Sequence, residues 1–521
     1  MSIEKKVNFE PLSPLLFLER SARYYKNKKA IVDGDITKTY SEFYRDCQAI
    51  AKGLCSLGIK PNAKVAYVCR NTHHMVAAFY AIPMCRSVLM PINVRLNYEQ
   101  IAYILQHAEA DVLFIEECFF HESYINDVNK IVIIGTKKYE HPNVFSYEEL
   151  LNIGNENRHL QLPILTDEQE TITLNYTSGT TGNPKGAEYS HRSTYLNALG
   201  ECLQTGLTNQ SNYLWILPMF HCNGWCFPWA VTAVAGTHVC LPTINAEEII
   251  RLIVEHDITH LCAAPTILTM LPQTPAFSKL AGKTNLKIIT AGSSPTEKTI
   301  KTYEEFGIDI IHVYGLTETH GPHTVNPTPK NTENVSVLKT YQGIPGIHAT
   351  FMRIVDKQMQ DIPHDGVTIG EVIMRGNNIM KGYYKDPATT EISFKNGWFF
   401  SGDLAVVHPN GFMEVKDRSK DIIISGGENI SSIEVEKAIY SHHAIAKVAV
   451  IPMRNETWGE IVHAVVECHS ETVVTEKEII QFCKQKLPSY KCPKKVTFAA
   501  IPVNATGKIQ KSKLKSIYYE R

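Results

Sequence analysis

Residues Tyr176-Thr177-Ser178-Gly179-Thr180-Thr181-Gly182-Asn183-Pro184-Lys185-Gly186 gather three glycines, four aliphatic hydroxyls and a lysine in one short run. Gly179 and Gly182 allow bends that a Cβ would obstruct. In such a bend, successive backbone N–H groups converge on an anion. Thr177, Ser178, Thr180 and Thr181 add hydroxyl donors, and Lys185 adds a mobile positive charge. These residue types suit the holding of a polyphosphate. A Gly/Thr-rich hairpin turn with no ligand is the other reading of the same residues. A Walker A loop requires Gly-Lys followed by Ser or Thr at a helix start. Here Pro184 precedes Lys185 and Gly186-Ala187-Glu188-Tyr189 follows it. The preceding Thr171-Ile172-Thr173-Leu174-Asn175-Tyr176 is β-prone. A strand, the loop and a second extended segment are therefore expected.

Other groups able to do chemistry are spread along the chain. Tyr314-Gly315-Leu316-Thr317-Glu318-Thr319 follows an apparent strand, Asp309-Ile310-Ile311-His312-Val313. By the pattern alone, Glu318 reads as a solvated loop acid. Asp403 follows Gly402, where a turn-forming Asx residue and a ribose acceptor are both consistent with the pattern. Cys222 and Cys226 lie near His221, but no second Cys/His pair stands at zinc-binding spacing.

The elements that must carry these groups are legible from periodicity. Phe43, Cys47, Ile50, Ala51 and Leu54 predict a helix over 40–58. Residues 64–69 read as a buried strand and 74–81 as a helix that Pro83 ends. A strand over 87–92, a helix near 99–105 and a strand over 111–115 follow. Strands recur near 259–264, 286–291 and 308–314. This alternation predicts an α/β fold with mostly parallel sheets. After about residue 340 short strands and turns take over, and His408-Pro409-Asn410-Gly411 marks a turn. A charged stretch, Lys416-Asp417-Arg418-Ser419-Lys420-Asp421, predicts a boundary between domains of residues 1–417 and 418–521. In the second, helices are expected near 431–441 and 475–487, and strands near 446–451 and 461–467.

The chain has 521 residues, too many for one ordinary core. Hydrophobic residues at 44%, charged residues at 20% and a net charge of −1 describe a soluble globular protein with no electrostatic case for nucleic acid. No apolar run reaches the roughly 20 residues of a membrane span. The first residues lack a signal-peptide core, and the last lack a peroxisomal Ser-Lys-Leu address. Thirteen scattered cysteines, an odd number, suit a reducing cytoplasm.

Five motifs in order resemble the adenylate-forming superfamily of acyl-CoA synthetases, luciferases and peptide-synthetase adenylation domains. They are Thr177 to Gly186, Tyr314 to Thr319, and Gly397-Trp398-Phe399-Phe400-Ser401-Gly402-Asp403. The fourth runs from Asp417-Arg418-Ser419-Lys420-Asp421 through Gly426-Gly427-Glu428-Asn429-Ile430, and the last is Asn504-Ala505-Thr506-Gly507-Lys508-Ile509. The resemblance covers nearly the whole chain. It implies a large N-terminal domain of α/β sheet subdomains with a small β-barrel-like subdomain. A small mobile α+β C-terminal domain follows. The implied chemistry joins a carboxylate to the α-phosphate of ATP with loss of pyrophosphate, then transfers the acyl group to CoA with loss of AMP. Mg²⁺ is the implied cofactor.

Residue roles follow from the same resemblance. Tyr314 stacks on adenine, Gly315 gives the backbone room, Thr317 meets the α-phosphate and Glu318 holds Mg²⁺. Gly292-Ser293-Ser294 lines the adenine and the acyl group, and Asp403 with Arg418 takes the ribose or a phosphate. Lys508 lies over the substrate carboxylate and α-phosphate. Lys420 is the hinge, and Gly426 and Gly427 line the pantetheine tunnel. His221 gates the acyl pocket. The segment Phe220-His221-Cys222-Asn223-Gly224-Trp225 is similar to that of synthetases for short or medium acyl chains and small aromatic acids. Many relatives carry Gly where this chain has Val313, and a smaller residue where it has His320. Both would narrow the acyl slot if they project inward, with Trp225 and Trp229 as its floor. A compact acid is the expectation. A stand-alone enzyme that loads a carrier protein and a non-catalytic nucleotide sensor are the alternatives. Self-association is left open.

Overall fold

A computed structural model describes residues 8–137, 139–177, 184–330, 332–349, 351–469, 472, 474–503 and 509–519. Ser178, Gly179, Thr180, Thr181, Gly182 and Lys508, all named above, lie outside the described residues. The chain forms two compact units. The first takes the described residues up to 177, with 184–351 and 375–392; the second takes 352–374 and 393–519.

Two sheets build the first unit. Among the described residues, one has eight strands and one has nine. The eight-stranded sheet has a parallel centre, with Lys64–Val68 between Val88–Pro91 and Val112–Glu116. At one end Thr171–Tyr176 joins Val88–Pro91 in parallel, and Gly186–Ser190 and Gly382–Tyr383 continue the sheet antiparallel. In the nine-stranded sheet His260–Ala263, Lys287–Thr290 and Asp309–Leu316 run parallel in sequence order. Parallel strands need both faces covered. Accordingly, one apolar cluster draws on strands of both sheets, with Tyr67, Leu89, Trp215 and Ile289 among its members. Further clusters cover the outer faces under the helices Tyr98–Ala108 and Ala246–Glu255.

The helix predicted over 40–58 is Tyr40–Ser56, started by a reciprocal cap between Thr39 and Glu42. One expectation fails. Pro83 does not end its helix, which runs over His73–Met84. A helical proline leaves the carbonyl four residues back without its donor. That carbonyl belongs to Phe79, and the indole N–H of Trp229 supplies the bond at 3.2 Å. Trp229, expected to floor an acyl slot, is fully buried at this task.

Glu201, on the helix His191–Thr205, is buried with no ion pair among the described residues, and burial pushes its carboxyl well above the usual range. The folded state therefore holds this proton to higher pH than the unfolded chain does. Stability contributed by the neutral form is present at low pH and declines as pH rises through that interval. Against a Glu201→Gln variant, wild type is expected to lose about 1.4 kcal/mol per pH unit there. Unfolding midpoints of both proteins between pH 5 and 7 measure this. A difference that stays constant with pH contradicts it.

In the second unit, Trp398–Val407 pairs antiparallel with Gly370–Arg375, Phe394–Lys395 and Met413–Arg418 in an open sheet. The turn at 408–411 closes the hairpin to Met413–Arg418, with Gly411 at φ 84°. Beyond it, Ile445–Asn455 and Gly459–Cys468 form a long antiparallel pair under the helices Ser432–Tyr440 and Glu476–Lys484. Residues 416–421 span the end of Met413–Arg418 and the turn after it.

Candidate active site

The loop opens where the strands Thr171–Tyr176 and Gly186–Ser190 pair, with Tyr176 opposite Gly186. The Thr177 N–H donates to the Lys185 carbonyl at 2.8 Å, which closes the base of the hairpin. The extended segments on both sides are those expected from sequence. Lys185 is part-exposed; its ammonium donates to Thr389 Oγ1 at 3.2 Å, lies 4.0 Å from Asp386, and sits 5.5 Å above the Tyr383 ring. Tyr383 in turn donates its hydroxyl to Glu318 Oε1 at 2.7 Å. One tyrosine thus stands between the loop lysine and the candidate metal carboxylate. Sequence reasoning missed it, since Tyr383 stands in none of the motifs read above.

Thr317 and Glu318 form a short 3₁₀ turn after Asp309–Leu316. Thr319 holds that turn closed, accepting from the Leu316 N–H and donating to the Gly321 carbonyl. The Glu318 carbonyl takes the Met380 N–H at 2.8 Å. Gly315 is required by its own neighbour strand: a Cβ there would stand 1.9 Å from the Gly321 oxygen. The ladder shifts register between Tyr314 and Gly315, and Tyr314 remains half-buried at that irregularity.

The segment after His221 has an uncommon backbone. Cys222, Asn223, Gly224, Trp225 and Cys226 all have left-handed φ, between 47° and 66°. L-residues in a left-handed helix cost roughly 1–2 kcal/mol each, so the surroundings must over-determine the turn. A Cβ on Gly224 would come within 2.6 Å of Trp215, and one on Gly321 within 3.0 Å of the Trp225 Cα. His221 leads into this turn, its N–H on the Pro218 carbonyl. Asn175, two residues before Thr177, donates to the Phe220 carbonyl at 3.2 Å and ties the turn to the loop's strand. Burial raises the Cys222 thiol to about 12, and the protonated thiol donates to Thr317 Oγ1. Val313 and Trp225 belong to one buried cluster. His320 is buried with its ring stacked on Tyr189.

Gly292 follows Lys287–Thr290 in an exposed turn at φ 93°, Ser293 is exposed beside it, and Ser294 Oγ accepts from Gln342 at 2.8 Å. In the second unit, Asp403 sits inside a strand, where a loop residue was expected, directly opposite Arg418. Their side chains form an ion pair at 3.2 Å. The carbonyl of Lys420 accepts from Lys515. Gly426 and Gly427 form the tip between Ile423–Ser425 and Glu428–Ile430, beside the exposed Trp458.

Among the described residues no three His, Cys, Asp or Glu side chains gather around one point. Glu318 with the Thr317 hydroxyl is an oxygen-only pair. That suits a hard cation held mainly by substrate phosphates and water, and does not suit zinc. No helix among the described residues is long and apolar enough to cross a membrane.

The family model "AMP-binding enzyme" matches residues 18–384, and "AMP-binding enzyme C-terminal domain" matches 434–508. A 4-hydroxybutyrate–CoA ligase of Metallosphaera sedula is 40% identical over 98% of this chain and 95% of its own length. A peroxisomal acetate/butyrate–CoA ligase of Arabidopsis thaliana is 37% identical over 98% and 95%. The structure of an O-succinylbenzoate coenzyme A synthetase from Bacillus subtilis with ATP and magnesium ion superposes with a TM-score of 0.83. It has 26% identity and covers 96% of this chain and 99% of that one.

Proposed function

Because the chain belongs to the AMP-binding enzymes, and is an acid–thiol ligase that makes acyl-CoA from ATP, CoA and a carboxylic acid, we propose a compact acid as its substrate and assign the steps to the residues above. In the first step a carboxylate oxygen bonds to the α-phosphorus and the bond to the leaving pyrophosphate breaks. In the second, the CoA sulfur bonds to the acyl carbon, AMP departs, and the thiol proton passes to solvent. Two anions must approach each other in the first step, so positive charge is needed at the phosphorus. The junction at Tyr383 carries this reading: Lys185 lies over its ring and Glu318 holds its hydroxyl. Tyr383 thereby links Lys185, at the base of the loop, to the Thr317–Glu318 turn. Magnesium bound at Glu318 and Thr317 supplies charge neutralisation on those phosphates.

Tyr314 takes the adenine, Gly292, Ser293 and Ser294 line it, and Asp403 and Arg418 take the ribose. Lys508 supplies charge at the carboxylate, Lys420 is the hinge between 1–417 and 418–521, and Gly426 and Gly427 serve the thiol tunnel. Val313 and Trp225 fill one cluster beside the His221 turn, which supports a short or small aromatic acid over a long chain. The names of the relatives above, with 4-hydroxybutyrate, acetate and butyrate, point the same way. The thirteen cysteines are free, which supports a cytoplasmic enzyme.

The test is AMP and pyrophosphate release from ATP and Mg²⁺ with acids from acetate to palmitate, 4-hydroxybutyrate, benzoate and cinnamate, with and without CoA. CoA-dependent AMP release confined to small acids is expected. A preference for palmitate overturns the compact slot, and pyrophosphate release indifferent to CoA points to another thiol acceptor. Lys508→Ala is expected to slow adenylation by about 100-fold or more. Thioester formation from supplied acyl-adenylate should change less than about threefold. Equal losses in the two half-reactions contradict the role given to Lys508.

A further inference from the structure

The Thr317–Glu318 turn is braced by buried groups that have been given no role toward it above. We propose that His320 is a positioning residue for adenylation, linking the left-handed turn at Asn223 to the Thr317 carbonyl through Tyr189; this rests on the reading of Thr317 and Glu318 given above.

The chain of contacts is continuous and buried. Asn223 Nδ2 lies 2.7 Å from His320 Nε2 and 2.8 Å from Thr173 Oγ1. An amide nitrogen has two hydrogens, and both are used. The His320 ring lies flat on the Tyr189 ring, with centroids 3.8 Å apart and planes 3° apart. The Tyr189 hydroxyl donates to the Thr317 carbonyl, while the Cys222 thiol reaches the Thr317 hydroxyl at 3.4 Å. Asn223 and His320 are respectively 0% and 1% exposed. Thr317 is therefore held at its carbonyl and its hydroxyl, and both supports lead back to the turn that follows His221.

His320 itself has φ 60°, where a bulky residue is uncommon. Its backbone places the ring under Tyr189, and the Asn223 bond fixes the ring about its own axis. The acid-binding turn and the phosphate-binding turn are thus mechanically one piece. Rate is steeply sensitive to such placement, since a misplacement of about 1 Å costs on the order of 100-fold.

Two variants test this without emptying the core. His320→Phe keeps an aromatic ring for stacking and removes the Asn223 bond. Tyr189→Phe keeps the stack and removes only the hydroxyl. ATP–pyrophosphate exchange is measured with whichever of acetate, butyrate, 4-hydroxybutyrate or benzoate the wild type uses best. Each variant is expected to lower kcat about 10- to 100-fold, with KM for ATP within about twofold. The double variant should be no slower than the worse single one, because both cuts break one connection. Thioester formation from supplied acyl-adenylate should be within about twofold of wild type. Losses that multiply in the double variant, equal losses in both half-reactions, or kcat at wild-type level in Tyr189→Phe would each overturn the proposal. Absence of exchange by wild type with every acid would instead overturn the adenylation reading itself.

Discussion

Glu318→Gln is expected to lower adenylation by about 100-fold or more, and to raise the Mg²⁺ concentration needed for half-maximal rate. The exchange is nearly isosteric. Its amide oxygen can still accept from the Tyr383 hydroxyl, and the backbone bond from Met380 to the Glu318 carbonyl does not involve the side chain. What disappears is one negative charge at the only carboxylate assigned to the cation. Mg²⁺ is commonly held by one or two carboxylates plus substrate phosphates, so no neighbouring carboxylate is assigned to replace it. The loss should appear in ATP–pyrophosphate exchange and be nearly absent when acyl-adenylate and CoA are supplied. A fall of less than about threefold in exchange, or an equal fall in both half-reactions, would remove Glu318 from the metal site.

Gly315→Ala is expected to be more disruptive than its single methyl suggests. The added Cβ would meet the Gly321 carbonyl at 1.9 Å, and the next atoms are the Gly321 carbon and the Pro322 Cα. All three are backbone, so no side chain can swing aside. Either the strand Gly321–Val325 moves or Asp309–Leu316 bends, and the Tyr314–Gly315 shift sits on that boundary. A destabilisation of about 3 kcal/mol is the expected scale for forced overpacking. In the folded fraction, adenylation should fall about 100-fold, because Tyr314 lies before the clash and Thr317 just after it. Thermal melts together with exchange on refolded protein measure the two effects. A variant with wild-type melting and wild-type exchange would mean that the two strands separate at little cost.

The resemblance gave Gly315 the role of leaving the backbone room, and in the fold that room is demanded by the neighbouring strand. Pro83 goes the other way. Local chemistry predicts that it ends a helix, and the prediction fails because Trp229, far along the chain, supplies a donor to the exposed carbonyl. Asp403 shows the same limit: a Gly-Asp pair reads as a turn, yet it lies in a strand because Arg418 on the next strand pairs with it.

Sequence alone determined the alternation of strands and helices, the pair of strands flanking the Gly/Thr-rich loop, the order of the motifs and the class of chemistry. These are properties of short stretches: period, turn residues, and a donor set packed into a few positions. Only the tertiary structure decided that Tyr383 joins Lys185 to Glu318, and that five left-handed residues after His221 brace the Thr317 turn. It also decided that His320 supports that turn from within the core. Tyr189, Asn223, His320 and Tyr383 are isolated residues of ordinary types, separated by long stretches of chain. Their meaning lies in contacts between distant elements, and such contacts exist only once the two sheets have folded.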